Sequence, residues 1–323
     1  MEGQSATEAL KQLEELQLPD TPKIAELRNG LLAEVRVVTE YPLRFERLEY
    51  ENEFGTQYER RTNILLEAGL TTDINGNTIE YPSYETQRAR MLEHPELLAK
   101  MNRGFVRLQP VPIGAPLSGY LTAVEDGLRQ YAKEKRLRAT DGTVLQLDDN
   151  QPMRKWDAYN GADIDGSLVY EPVQLTTEGH GGKTKTQLIA ERGPMQVLLT
   201  ENLRDIPREG KGVTIGGRPQ IEAGKTANRY LQMAGKGPYE LESPYALETE
   251  LAHVLTHLHE TGGEVLDDYR SGSGAYCPGT WLPAHGLVPF VCFFRDVGQL
   301  SVVGRGPDRP FSDGGVRCAV SGS

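Results

Sequence analysis

Cysteine is scarce in this chain of 323 residues: Cys277, Cys292 and Cys318 are the whole complement, all near the C-terminus, with no CxxC pair and an odd total. That excludes a disulfide-built scaffold and leaves closure of the core to apolar packing. Long hydrophobic runs are missing too. Apolar residues make up 38% of the chain, yet the longest runs are a few residues, far short of the roughly 20 that a bilayer span requires. No membrane span is expected. Basic residues are outnumbered, 35 against 46 acidic, and the net charge of -11 repels phosphate backbones, which argues against a general nucleic-acid binder. The opening MEGQSATEALKQLEELQLPD carries acids where a secretory signal would be basic and then apolar. No signal peptide is expected, and the protein is placed in the cytoplasm or on a virion.

The chain is long enough for two domains, or for one large domain with an appendage. Leu10, Leu13 and Leu16, then Ile24, Leu27, Leu31, Leu32 and Val35 after the Pro19 to Pro22 break, fall at helical spacing and predict a helical hairpin over residues 6 to 38. The pattern stays helical but very polar to Met101, with a loop at Thr72 to Asn77. At Phe105 the character changes. FVRLQPVPIG alternates as a strand does, and Leu121, Val124, Leu128 and Tyr131 line one face of a helix over Leu117 to Leu137. A boundary near residue 104 is expected on this reading, with a helical module at 1–104 and an α+β domain at 105–323. Short strands are expected at 143–147, 167–175 and 196–200, and one more helix at Tyr245 to His259, stopped by Gly262-Gly263. From Gly237 onward there is no lysine, asparagine or methionine, and the positive charges are all arginine.

Patterns that would carry catalysis are incomplete. The stretch LVYEPVQLTTEGHGGKTKTQLIAERG reads as strand, glycine-rich turn and helix, but a phosphate-cradling loop ending at Lys183-Thr184 needs glycine at position 177, which is Thr177. His253 and His257 are spaced to share a metal ion from one helix, yet a zinc peptidase would need glutamate where Val254 stands. The serines form no nucleophile elbow, and Cys292 is flanked by apolar residues as an inert thiol is. Asp148-Asp149 and Asp267-Asp268 are adjacent acids of the kind common in an acidic chain. The DIDGS loop with Asp163 and Asp165 offers oxygen ligands to calcium without a complete loop spacing. No bound copper or zinc and no cofactor are expected; whether calcium is bound is left open.

The C-terminal stretch DDYRSGSGAYCPGTWLPAHGLVPFVCFFRDVGQLSVVGRGPDRPFSDGGVRCAV ends on Gly315-Val316-Arg317-Cys318-Ala319. This ending resembles the G-[FV]-R-x-A close of C-type lectin domains of the formylglycine-generating-enzyme type, and of the variable proteins of diversity-generating retroelements that share the fold. The strand from Phe105 and the helix from Leu117 fit the opening β-α unit of such a domain. The oxidase branch of the fold holds copper on a closely spaced cysteine pair and carries an RGGSW strand. Here the cysteines are dispersed and DYRSGSG stands in about that place. In the variable proteins, adenine-directed mutagenesis of AAY codons yields no lysine, glutamate, glutamine, methionine or tryptophan. Between Arg270 and Arg317 only Trp281 and Gln299 belong to that excluded set.

The resemblance therefore implies recognition without catalysis, by a variable segment at 270–318 whose ligand is unknown and expected to be a protein. Its ligand-binding residues would be Ser271, Ser273, Tyr276, Trp281, Phe290, Cys292, Phe293, Phe294, Arg295, Asp296, Ser301, Val303, Arg305, Asp308 and Arg309. Gly315 and Arg317 would be structural, the glycine for a tight turn and the arginine for hydrogen bonds near the closing strand. Competing expectations are an oxidase on the same fold, a metal-dependent enzyme at the histidine helix, or a phage structural or receptor-binding protein. Oligomeric state is not legible.

Overall fold

A computed structural model describes residues 48–160, 164–270 and 272–321. The expected hairpin over residues 6 to 38, Asp163 and Ser271 lie outside them. The helices are α1 (Leu48–Glu67), α2 (Tyr84–Glu93), α3 (Pro95–Met101), α4 (Leu117–Lys133), α5 (Ile164–Ser167), α6 (Lys185–Arg192), α7 (Ala227–Met233) and α8 (Leu247–Thr261). The strands are β1 (Arg107–Val111), β2 (Met153–Lys155), β3 (Val169–Tyr170), β4 (Lys183–Thr184), β5 (Gln196–Thr200), β6 (Thr214–Ile215), β7 (Arg218–Pro219), β8 (Ser243–Pro244), β9 (Gly274–Tyr276), β10 (Thr280–Trp281), β11 (Val288–Phe294), β12 (Gln299–Arg305), β13 (Gly314–Val316) and β14 (Cys318–Val320). The fold is mixed α+β. Among the described residues no helix is long and apolar enough to cross a membrane.

Helix α8 is the axis of the molecule, with every residue from Leu247 to Leu258 buried. It stops where Gly262 takes up the left-handed conformation (φ 70°) that a glycine adopts without steric cost. Helix α4 packs on it through Val124, Leu128 and Tyr131. The crossing is close because Gly127 has no side chain: a Cβ there would sit 3.1 Å from Leu258 Cδ2. Helix α4 ends at Lys133, four residues earlier than the spacing predicts, and the chain turns away at the left-handed Lys135 (φ 57°).

Two of the sheets hold the C-terminal strands other than β10, which pairs with β3. One has strand order β1-β5-β14-β8 and the other β13-β9-β11-β12-β2. The long pair β11 and β12 is antiparallel, with Phe290 opposite Val303, Cys292 opposite Ser301 and Phe293 opposite Leu300. Strand β5 falls where the sequence predicts it. Around 143–147 only an isolated bridge, Arg138 to Val144, is made, and the 167–175 stretch shortens to β3.

Residue 104 does not separate two cores. Phe54 and Tyr58 of α1 and Met91 and Leu97 beyond it share one cluster with Phe105, Leu108, Leu199 and Val320. Leu65, Leu70 and Ile79 enter the main core itself. An ion-pair network ties the same elements together: Arg61 and Arg107 both engage Glu260 on α8, at 2.7 and 2.9 Å. A very polar helix can be integral when its few apolar residues line one stripe.

Candidate functional site

Strand alternation sends successive side chains to opposite faces, and the register fixes the phase that the sequence leaves open. Val291, Phe293, Leu300 and Val302 face inward to the core around α4 and α8. Val288, Phe290 and Cys292 face outward, in line with Ser301, Val303 and Arg305. That outer face is itself covered at its centre by Tyr276, Tyr230 and Trp281, and by Phe311 from the 306–313 loop. Phe290, Cys292 and Phe293 are thus all sealed, with 0% exposure. This corrects the expectation that they present apolar area to a ligand. A continuous apolar run is what a strand covered on both faces requires.

Four more expected contacts are also buried: Ser273, Tyr276, Trp281 and Ser301. Tyr276 packs edge-on to Phe290 at 5.1 Å and donates its hydroxyl to the Arg309 carbonyl at 3.3 Å. Trp281 fills the outer cluster, and its indole N–H donates to the Thr176 carbonyl at 3.0 Å. Arg295 is held by Asp268 and by Asp141 at 2.8 Å, leaving little of its guanidinium for a partner.

What remains accessible is a margin. Phe294, Val303 and Arg305 are half-buried, and Asp296, Asp308 and Arg309 are exposed. Tyr269, Arg270 and Phe311, absent from the sequence-derived set of contacts, complete it. Tyr269 lies 4.9 Å from Phe294 and is stacked with Phe311 at 6.2 Å. The Arg305 guanidinium sits 5.4 Å from the Phe290 ring and 5.2 Å from Phe311. Arg270 and Asp296 approach to 4.0 Å at the opposite end. An aromatic strip edged by charges of both signs is a surface suited to a protein partner.

The loop that carries half of this margin is tied down through its backbone, its ends and the Asp308 side chain. Asn228, in the first turn of α7, donates its backbone N–H to the Pro307 carbonyl at 3.1 Å and its side-chain amide to Asp308 at 2.6 Å. Tyr230 donates to the Gly314 carbonyl at 2.9 Å, and Tyr269 to Asp313 at 3.1 Å. Burial pushes the Tyr269 hydroxyl up, and the Asp313 bond adds to this, so it stays a donor at neutral pH.

Gly315 and Arg317 hold this margin to the core. Gly315 lies inside β13, not in a turn; a Cβ there would overlap Ile206 Cγ2, so close approach is what demands glycine. Arg317 is buried and donates to Asp267 at 2.8 and 2.7 Å and to the Leu203 carbonyl at 2.7 Å. Glu250 of α8 reaches Arg317 at 3.9 Å. Burial, reinforced by the Asp267 charge, raises the Glu250 carboxyl well above the ordinary range.

The remaining chemical candidates resolve into structural roles. Burial lowers His253 far below its usual value and His257 to about 3, so both rings are neutral. His257 meets Glu264 at 3.3 Å and His253 meets Tyr245 at 3.4 Å. Among the described residues no group of three or more His, Cys, Asp or Glu is arranged to hold a metal ion. Burial raises the Cys277, Cys292 and Cys318 thiols well above 9. Thr184 caps α6 in a reciprocal box with Gln187, and Lys183 turns to Glu171 and Glu191, so the glycine-rich loop leads into a capped helix start. Asp165 binds Lys185 and the Leu117 N–H. Compared with protein-family models, with curated proteins and with solved structures, the chain matches none.

Proposed function

We propose that this is a recognition protein without catalytic activity, with a C-type-lectin-like domain of the formylglycine-generating-enzyme type. It would act in the cytoplasm or on a virion as the variable protein of a diversity-generating retroelement. Its binding surface would be the margin formed by Tyr269, Arg270, Phe294, Asp296, Val303, Arg305, Asp308, Arg309 and Phe311, and its ligand another protein. The observation that carries the reading is the contrast within 306–313. The backbone there is held at Pro307 by the Asn228 N–H of α7 and, just beyond the segment, at Gly314 by Tyr230 of the same helix, while Arg309 is exposed and makes its ties through its backbone. Side chains on such a segment can change without moving the scaffold, as binding loops require.

The test is a display library of the whole chain, randomised at 294, 296, 303, 305, 308 and 309 and selected against lysozyme as an arbitrary protein target. The reading predicts enriched binders that melt within a few degrees of the parent. A library that is mostly unfolded, or binding that survives reversion of all six positions, would contradict it.

A further inference from the structure

We infer that a cavity between α2 and the sheet strands β1, β5 and β14, separate from the outer margin, binds a small apolar monocarboxylate through Gln87 and Arg90. The cavity has a volume of about 290 Å³, at the lower end of the range for small-molecule sites. Its apolar walls are Met91 of α2, Leu97 of α3, Leu108 of β1, Leu199 of β5 and Val320 of β14, all buried. These five belong to the cluster that joins the chain before residue 104 to the sheet. The cavity thus lies at a junction of packed elements.

The buried stripe of α2 is Tyr84, Gln87 and Met91, where an amphipathic helix is expected to carry apolar residues alone. Gln87 breaks that pattern. It is 5% exposed and lines the cavity, and its Nε2 is buried with no hydrogen-bond partner among the described residues. A donor left in this state costs its desolvation free energy with no bond in return, and most buried polar groups avoid that by pairing. Gln196, at the start of β5, lines the same cavity, and its Nε2 is also buried without a partner among the described residues. Two orphaned donors on one cavity call for an acceptor from outside the chain. The terminal torsion of a glutamine is soft, so each amide can turn onto such a group.

The charges on the lining select the kind of acceptor. Arg90 stands at i+3 from Gln87, on the same face of α2. It is exposed, and it has no ion pair or hydrogen bond among the described residues. The other charged residues of the lining are engaged, Glu191 with Lys183 and Arg192 with Glu171. The unbalanced charge is therefore one guanidinium, which favours a monoanion and whose planar fork matches a carboxylate. The apolar walls take the rest of the molecule, and the flexible side chains of Met91 and Met195 adapt to its shape.

Calorimetric titration of the full chain with octanoate and with 4-phenylbutyrate tests this, and the two acids distinguish a linear from an aromatic body. At least one acid should bind saturably, with its corresponding alcohol about tenfold weaker or more, because a neutral head group forms weaker hydrogen bonds with a guanidinium. Gln87→Leu removes the orphaned donor at nearly constant volume. It should raise the melting temperature of the unliganded chain and weaken acid binding about tenfold. Arg90→Ala, at an exposed position, should leave melting unchanged, weaken the acid about tenfold and abolish most of the preference for acid over alcohol. No saturable binding of either acid, equal binding of acid and alcohol by the parent chain, or acid binding undiminished in either variant would overturn the inference.

Discussion

On the inner face of the β11–β12 hairpin, Val291, Phe293, Leu300 and Val302 are closed over by the core around α4 and α8. The outer face instead grades from sealed Phe290 and Cys292 at its centre to half-exposed Phe294, Val303 and Arg305 at its margin. The same two strands supply both faces, and hydrophobicity does not separate them. What separates them is cover. The inner face is closed by helices throughout, whereas the outer face is closed only where Tyr276, Trp281 and Phe311 reach. A surface free to vary can therefore begin within one or two residues of a position that cannot change.

The comparison can be broken most severely by removing cover from the other side. Deleting residues 1–104 takes Phe54, Tyr58, Met91 and Leu97 from the shared cluster, and with them the partners of Phe105 and Leu108. The shortened chain should show no cooperative thermal transition in calorimetry, whereas a separable module would leave one. Next in size is Arg317→Ala, which strands Asp267 and draws the counter-charge away from Glu250. A loss of about 3–5 kcal/mol in urea unfolding is expected. Phe293→Ala and Phe290→Ala should each cost roughly 3–5 kcal/mol, although the two rings lie on opposite faces. Near-zero loss at Phe290 would mean that the outer centre is open after all.

A smaller effect sharpens the interior side through pH. Burial pulls His257 down to about 3 from an ordinary value of 6.5, so the native state holds the ring neutral. Its contribution is complete above about pH 6.5 and is lost as pH falls towards 3. His257→Gln removes that titration. The native chain should therefore lose roughly 1 kcal/mol per pH unit below 6.5 relative to the variant. Parallel pH profiles would show that the ring is not neutral in the fold.

Periodicity made the helices legible: α4 and α8 fall where their apolar spacing places them, and Gly262 ends α8 as expected. The strand run VPFVCFF was legible as a strand but not in its cover. Its lack of alternation was the signal that both faces are closed. The outward phase came only from register, which sequence spacing does not contain. The ion pairs that span the chain, such as Arg61 with Glu260, were equally hidden. They join residues far apart in sequence, and single charges in an acidic chain carry no mark of burial. Tyr269 and Phe311 were visible as aromatics in loops, but nothing local showed that they stack with one another.

The most direct measurement compares thermal melting of Phe293→Ala with that of a triple variant, Arg270→Ala, Asp296→Ala and Arg309→Ala, all three on the exposed margin. If variation at the margin is uncoupled from stability, the triple variant should stay within about 1.5 kcal/mol of the parent, while Phe293→Ala loses roughly 3–5 kcal/mol. Comparable losses in the two variants would contradict the account.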